Sequence, residues 1–219
     1  KYTLFLFIAL YFLFKYLGNL ESLGFGLGLM SAAIGFALQK PITGIAAWLM
    51  VIFRRPFEIG DRVSIGDVKG DVIDITISHI HLNETGGRIN SEDNSGRVLM
   101  IPNSELFEVN IVNYTFDNDF ILDEVVISVT YESDLDKAEK ICLDCARKVL
   151  DIEFHTSKHP YARVFFKDSS IDIHIRYLVP ARTVTKYGSD ITKRIWHSFR
   201  KNKDLEFAYP HMDVVYKKK

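Results

Sequence analysis

Few side chains in this sequence stand in patterns that support catalysis or metal binding. Cys142 and Cys145 have the C-x-x-C spacing of a redox pair or half a zinc site. At helical period, however, both fall on the stripe of Leu135, Ala138, Ile141 and Val149, which reads as the core face of an amphipathic helix. His79 and His81 alternate along a strand pattern, and His155 and His159 stand four apart. Neither pair comes with the further ligands a tetrahedral metal needs. Glu92-Asp93-Asn94-Ser95-Gly96 has part of a calcium loop's oxygen donors without the rest of its spacing, and reads as a solvated turn. No nucleophile, base and orienting acid fall into a pattern, and no phosphate-cradling glycine loop precedes a helix. The reading is of a protein that is not an enzyme, with no cofactor and no metal.

Composition bounds the domains and the partners. The chain has 219 residues, 47% hydrophobic, with a net charge of −1. That balance gives no global basic field to attract nucleic acid. Two cysteines make no disulfide framework.

The chain is organised around Leu23 to Phe53, about thirty almost wholly apolar residues, enough to span a bilayer. Projected at roughly 100° per residue, Gly24, Gly28, Ser31, Ala32 and Gly35 form one small-residue stripe. Gly26, Ala33 and Ala37 form a second, nearly opposite. Bulky ridges lie between them, one of Phe25, Leu29 and Phe36, the other of Leu27, Met30, Ile34 and Leu38. Small stripes let helices approach closely. Two opposed stripes suit a ring of identical helices with one ridge facing a lumen; an ordinary glycine-rich membrane helix would carry similar residues. Gln39-Lys40-Pro41 predicts a break, because Pro41 has no amide hydrogen to donate and Lys40 is costly in hydrocarbon. The half to about Leu38 then crosses the membrane, and Ile42 to Phe53 turns to lie near the interface.

Tyr2 to Phe14 is a further apolar run. A signal peptide would be comparably short, but no small-residue cleavage pattern comes after it. With Gly18-Asn19 as a tight turn, the run predicts the end of a transmembrane helix that hairpins into the next. The chain begins at Lys1 inside this run, which leads us to expect a preceding N-terminal part. Arg54 and Arg55 place the chain beyond the second span on the cytoplasmic side.

From Phe57 the pattern alternates through Val63, Ile65, Val68, Val72, Ile73, Ile75 and Ile77, with turns at Gly66-Asp67 and Lys69-Gly70-Asp71. This predicts a small antiparallel β domain. A second hairpin takes Thr85-Gly86-Gly87 and Asn94-Ser95-Gly96 as turn material, and a buried strand, Val98 to Ile101, stops at Pro102. Asn103 or Ser104 is expected to cap a short helical turn. A third unit has the order β-α-β-β-α-β: a strand at Val125 to Val129, a helix at Leu135 to Leu150, strands at Ala162 to Phe166 and Ile171 to Val179, a helix at Val184 to Lys201 and a strand at Met212 to Tyr216. That order is ferredoxin-like.

Gly35-Phe36-Ala37-Leu38-Gln39, Phe53-Arg54-Arg55-Pro56-Phe57, Gly60-Asp61, Ile101-Pro102-Asn103 and Tyr209-Pro210-His211-Met212-Asp213-Val214 occur in one collinear order. Together with the glycine-rich helix they resemble the small-conductance mechanosensitive channel (MscS-like) family over nearly the whole chain. The resemblance implies an α+β membrane protein: transmembrane hairpin in 1–55, cytoplasmic β domain in 56–116, ferredoxin-like α/β domain in 117–210, and a C-terminal strand of an oligomeric β-barrel with its tail in 211–219. It implies a homoheptamer in the inner membrane, in contact with lipids and with no nucleic acid partner. Such a channel passes ions and small solutes when tension rises under hypo-osmotic shock. By position, Ala32 and Phe36, with Leu29 on the same ridge, fall at the pore constriction, and Gly28, Ser31, Ala33 and Gly35 fall at close helix-packing sites. Gln39, Lys40 and Pro41 fall at the hinge, where relatives often have glycine in place of Lys40. The hairpin around Arg88 to Ser95 is longer than the family's usual form. The rival reading is a membrane-anchored module binding a ligand or RNA without channel activity; against it, the third unit lacks RNP-type aromatic and basic strands.

Overall fold

The computed structural model of the protein describes residues 2–16, 20–87, 91–150 and 159–209. Two helices lead. Helix α1 is Tyr2–Tyr16, and α2 is Leu20–Arg54. By length and apolar composition, α2 supplies the one candidate membrane span among the described residues, Gly24–Arg54; α1, at 15 residues, is too short for that test. The expected break is not an end of helix: α2 runs on through Lys40 and Pro41. Pro41 withdraws one backbone donor, the one that would serve the Ala37 carbonyl, and the Thr43 hydroxyl donates to the Gln39 carbonyl of the same turn at 2.9 Å. The helix stops at Arg55, whose left-handed φ of 46° opens the turn into Pro56.

The β domain is an antiparallel sheet in the order β4-β3-β2-β1-β5, built from β1 (Arg62–Ile65), β2 (Val68–Ile75), β3 (His79–Thr85), β4 (Asn94–Pro102) and β5 (Ile111–Asn113). Ile65 pairs with Val68, so Gly66-Asp67 is a two-residue hairpin loop, with Gly66 at φ 59°. Gly70 lies inside β2 rather than in a turn; a Cβ there would fall 2.5 Å from the Asn83 carbonyl oxygen, so the neighbouring strand requires glycine. Asn94-Ser95-Gly96 is likewise strand rather than turn: Asn94 pairs with Thr85 across a register shift. After Pro102 comes a 3-10 turn, Asn103–Phe107. Pro102 flanks it and no side chain caps it, because Asn103 is itself inside the turn and its Nδ2 donates instead to the Thr76 carbonyl at 2.9 Å.

The third unit carries β6 (Phe120–Val129), α3 (Leu135–Leu150), β7 (Tyr161–Phe166), β8 (Ile171–Pro180) and α4 (Val184–Phe199), with sheet order β6-β8-β7. Ile173, Ile175, Ile191, Ile195 and Phe199 pack with Cys142 and Cys145 in its core. Beyond α4 the chain returns beside β6, where Phe207 bridges Val129 antiparallel. That is where the last strand of a ferredoxin-like sheet would stand. The strand expected at Met212 to Tyr216, the barrel segment, the Gly18-Asn19 turn and His155 lie outside the described residues, as does part of the hairpin around Arg88 to Ser95.

Candidate functional site

Helix α2 has two unlike halves. From Gly24 to Ile42 every residue is exposed. Nineteen residues of helix rise about 28 Å, close to the ~30 Å of a bilayer's hydrocarbon core. Phe36 is 78% exposed and Leu29 57% exposed, and Ala32 is exposed beside them. A Cβ built on Gly24, Gly26, Gly28 or Gly35 meets nothing within 4 Å. Ser31 and Ala33 are exposed as well. Among the described residues, therefore, one chain leaves both the residues expected at a constriction and those expected to pack between helices exposed.

The second half is moored. Gly44, Ala47 and Val51 recur at helical spacing and are buried. Ala47 and Val51 join Phe57, Val63, Val72, Ile80, Leu82, Ile101 and Leu106 in the core of the β domain. The helix comes so close at Gly44 that a Cβ there would sit 3.7 Å from the backbone nitrogen of Ser104. Asn103 fixes the opposite wall: its amide donates to the Ser78 carbonyl at 2.9 Å, and its side chain is 1% exposed. Where the bare half meets the moored half, Lys40 pairs with Glu108, just past the 3-10 turn. A groove of about 400 Å³ opens between Lys40, Pro41, Gly44 and Ile45 on the helix, Ile77 in the β2–β3 connection and Pro102 at the end of β4. The hinge expected at Gln39, Lys40 and Pro41 falls at this boundary. The structure adds that Lys40 is held by the β domain, and that the helix beyond it belongs to that domain's core rather than lying free.

A second junction joins the β domain to the third unit. Arg62, 2% exposed, forks onto Asp71, with Nε to Oδ1 at 2.9 Å and Nη2 to Oδ2 at 3.0 Å. Its Nη1 donates to the carbonyls of Glu92 at 2.9 Å and Ala181 at 3.2 Å. Arg182 reaches Asp71 at 3.6 Å, and the Glu92 amide donates to the Thr185 hydroxyl at 3.2 Å. Glu92 also receives Lys69 at 2.7 Å, so the first residue of the run that resembles part of a calcium loop serves as an anion of an ion-pair network.

The other titratable candidates are structural. Cys142 is buried, and burial, with Cys145 and Glu139 nearby, pushes its thiol up to about 12, leaving it a neutral core group. Burial and the hydrogen bond to Asp123 raise the Tyr177 hydroxyl well above its ordinary value. Hydrogen bonds from Arg176 and His174 hold Glu124 below the usual carboxylate range. His79 contacts the Ser78 hydroxyl at 2.9 Å and His81 lies 3.9 Å from Asp74. Among the described residues no three His, Cys, Asp or Glu side chains gather as a metal site.

Comparison with known proteins decides what such a helix on such a sheet belongs to. Residues 40–116 match the family model "Mechanosensitive ion channel, beta-domain". Residues 123–203 match "Mechanosensitive ion channel MscS, C-terminal". The chain belongs to the MscS-like family of mechanosensitive ion channels. An uncharacterised MscS family protein of Buchnera aphidicola is 29% identical over 88% of this chain and 60% of its own length. The mechanosensitive channel MscK of Escherichia coli is 26% identical over 84% of this chain and 16% of its own length. The chain is similar in fold to closed-state MscS of Helicobacter pylori, with a TM-score of 0.74 at 23% identity, covering 99% of this chain and 82% of that one. It spans 60–64% of the length of the first curated relatives it matches. The first family model begins at Lys40, so the MscS-like β domain includes the moored half of α2, in keeping with its buried Gly44, Ala47 and Val51.

Proposed function

We propose that this chain forms the pore and cytoplasmic cage of a tension-gated channel that releases ions and small solutes under hypo-osmotic stress. The observation that carries this reading is the division of α2 into a bare apolar half of bilayer length and a half built into the β domain's core. The bare halves pack into a ring, seven in number by family analogy, through the small stripes that include Gly28, Ser31, Ala33 and Gly35. In the same ring Phe36, with Ala32 and Leu29, narrows the lumen until water leaves it, and ions do not cross a dewetted constriction. Phe36 supplies most of this seal, because Ala32 is too small to occlude a lumen alone.

Tension does work on the area a protein occupies in the membrane plane, so it favours the wider state of an existing equilibrium. Opening requires the bare half to tilt relative to the moored half, and Gln39-Lys40-Pro41 is the turn where that change is absorbed. The β domain and third unit stay cytoplasmic below the inner membrane, after the double arginine, with residues 1–55, 56–116, 117–210 and 211–219 as successive parts. In the same proposal the third unit completes a ferredoxin-like sheet and the last segment adds a strand to a C-terminal barrel. The test is release of a trapped fluorescent solute from liposomes holding the assembled protein after a hypo-osmotic downshift. Release that grows with the downshift supports the proposal. Assembled protein that releases nothing up to vesicle lysis refutes it and leaves a membrane-anchored binding module.

A further inference from the structure

The helix layer of the third unit holds a groove of about 620 Å³ between α3 and α4, far from α2 in the chain. Its lining is strongly one-signed. Lys148 comes from α3; Lys193, Arg194 and His197 come from α4, and Lys201 from just beyond it; among the described residues Asp190 is the one lining carboxylate. Asp190, Arg194 and His197 succeed one another at spacings of four and three, which puts them along one face of α4, and Lys201 follows four residues on, just past the helix end. Tyr187, 3% exposed, lines the same groove from the core side.

The cations of this groove differ from two others on the same layer. Arg147 pairs with Asp144 at 3.5 Å and Lys137 with Asp204 at 2.7 Å. Among the described residues, Lys148, Lys193, Arg194 and Lys201 form no ion pair, and Asp190 pairs with none of them. Favourable interaction with the helix macrodipole accounts for Lys148 and His197, in the last turns of α3 and α4. It fades within that turn, so it does not account for Lys193 and Arg194. Four permanent cations along one concavity repel one another, and a multivalent anion relieves that repulsion. Arginine forks onto phosphate and lysines add point charge, whereas a single carboxylate would satisfy only part of the set. A concavity of this size is in the range that takes nucleotide-sized ligands.

We propose that the α3–α4 groove binds a small soluble anion carrying two or more phosphates, gripped by Arg194, Lys193, Lys148 and Lys201. This does not rest on the channel reading. The test is isothermal titration of inorganic tripolyphosphate into the detergent-solubilised full assembly at about 0.15 M salt, where the screening length is about 8 Å. Saturable binding of one anion per chain is expected, weakened at least tenfold by Arg194→Glu and by Lys148→Glu. Lys140→Glu, an equal charge change on an exposed residue of α3 outside the groove, is expected to change it less than twofold. Arg194→Gln keeps the comparison valid if the charge reversal disturbs folding. Absence of saturable binding overturns the proposal, as does equal weakening by Lys140→Glu. Sulfate binding as tightly as tripolyphosphate overturns the multi-phosphate assignment.

Discussion

Replacing Arg62 with methionine removes an ion-pair hub of the β domain that also donates to the Ala181 carbonyl of the third unit, while keeping an unbranched side chain of moderate length. The guanidinium is 2% exposed, and the Asp71 side chain it grips is 15% exposed. Without it, Asp71 keeps only the half-exposed Arg182 at 3.6 Å, and the carbonyls of Glu92 and Ala181 lose a donor. Removing one partner of a buried pair costs about 3–5 kcal/mol, most of it the penalty of the stranded charge. For a chain of this size each kcal/mol moves the melting temperature by about 2–4 °C. Arg62→Met should therefore lower it by about 6–20 °C, read by the fluorescence of Trp48 and Trp196 in the solubilised protein. Arg62→Lys should recover little, because an ammonium cannot make the fork. Adding Asp71→Leu to Arg62→Met should recover part of the loss by removing the stranded charge. A drop below about 2 °C for Arg62→Met, under 1 kcal/mol on the same scale, would refute the view that this junction fastens the two units together.

Three further outcomes are expected. Phe36→Ser should pass current at zero tension, since a hydroxyl lets water persist in the closed lumen, while Phe36→Leu should still close; a silent, well-assembled Phe36→Ser protein would remove Phe36 from the seal. Lys40→Glu should alter the opening threshold or inactivation by setting two carboxylates against each other across the hinge, and Glu108→Lys in the same chain should restore wild-type behaviour; no restoration by the swap would mean the pair is incidental. Iodoacetamide at pH 8 should leave Cys142 unmodified in the folded protein and alkylate it after denaturation, because a thiol pushed up to about 12 stays protonated there; rapid alkylation of the folded protein would contradict its place in the core.

The parts with strong periodicity are legible in the sequence. Leu135 to Leu150 forms a helix with those ends, and its cysteines sit in the core, because an amphipathic stripe sixteen residues long has one stable burial. The strands of the third unit are placed along the chain by local alternation in the same way. Long-range partners are not legible. Gly44, Ala47 and Val51 have the right spacing, but nearly every residue around them is also apolar, so no contrast marks the docking face. Glu108 lies 68 positions from Lys40, and Arg62 takes an acceptor 119 positions away at Ala181; spacing carries no trace of such pairs. Pro41 misleads because the rule against proline inside helices concerns one lost hydrogen bond and a clash, which an otherwise well-supported helix absorbs. Asn94 to Gly96 looks like a turn because turn-forming residues also fill irregular strand positions, and Gly96, at φ 77°, is one.

The central claim is that the bare half of α2 encloses a lumen that tension opens. Single-channel recording from patches of reconstituted bilayer under graded suction tests it most directly. The account predicts no current at rest, then stepwise openings of uniform size above a threshold tension. Patches that contain assembled protein and stay silent until the membrane ruptures would contradict it.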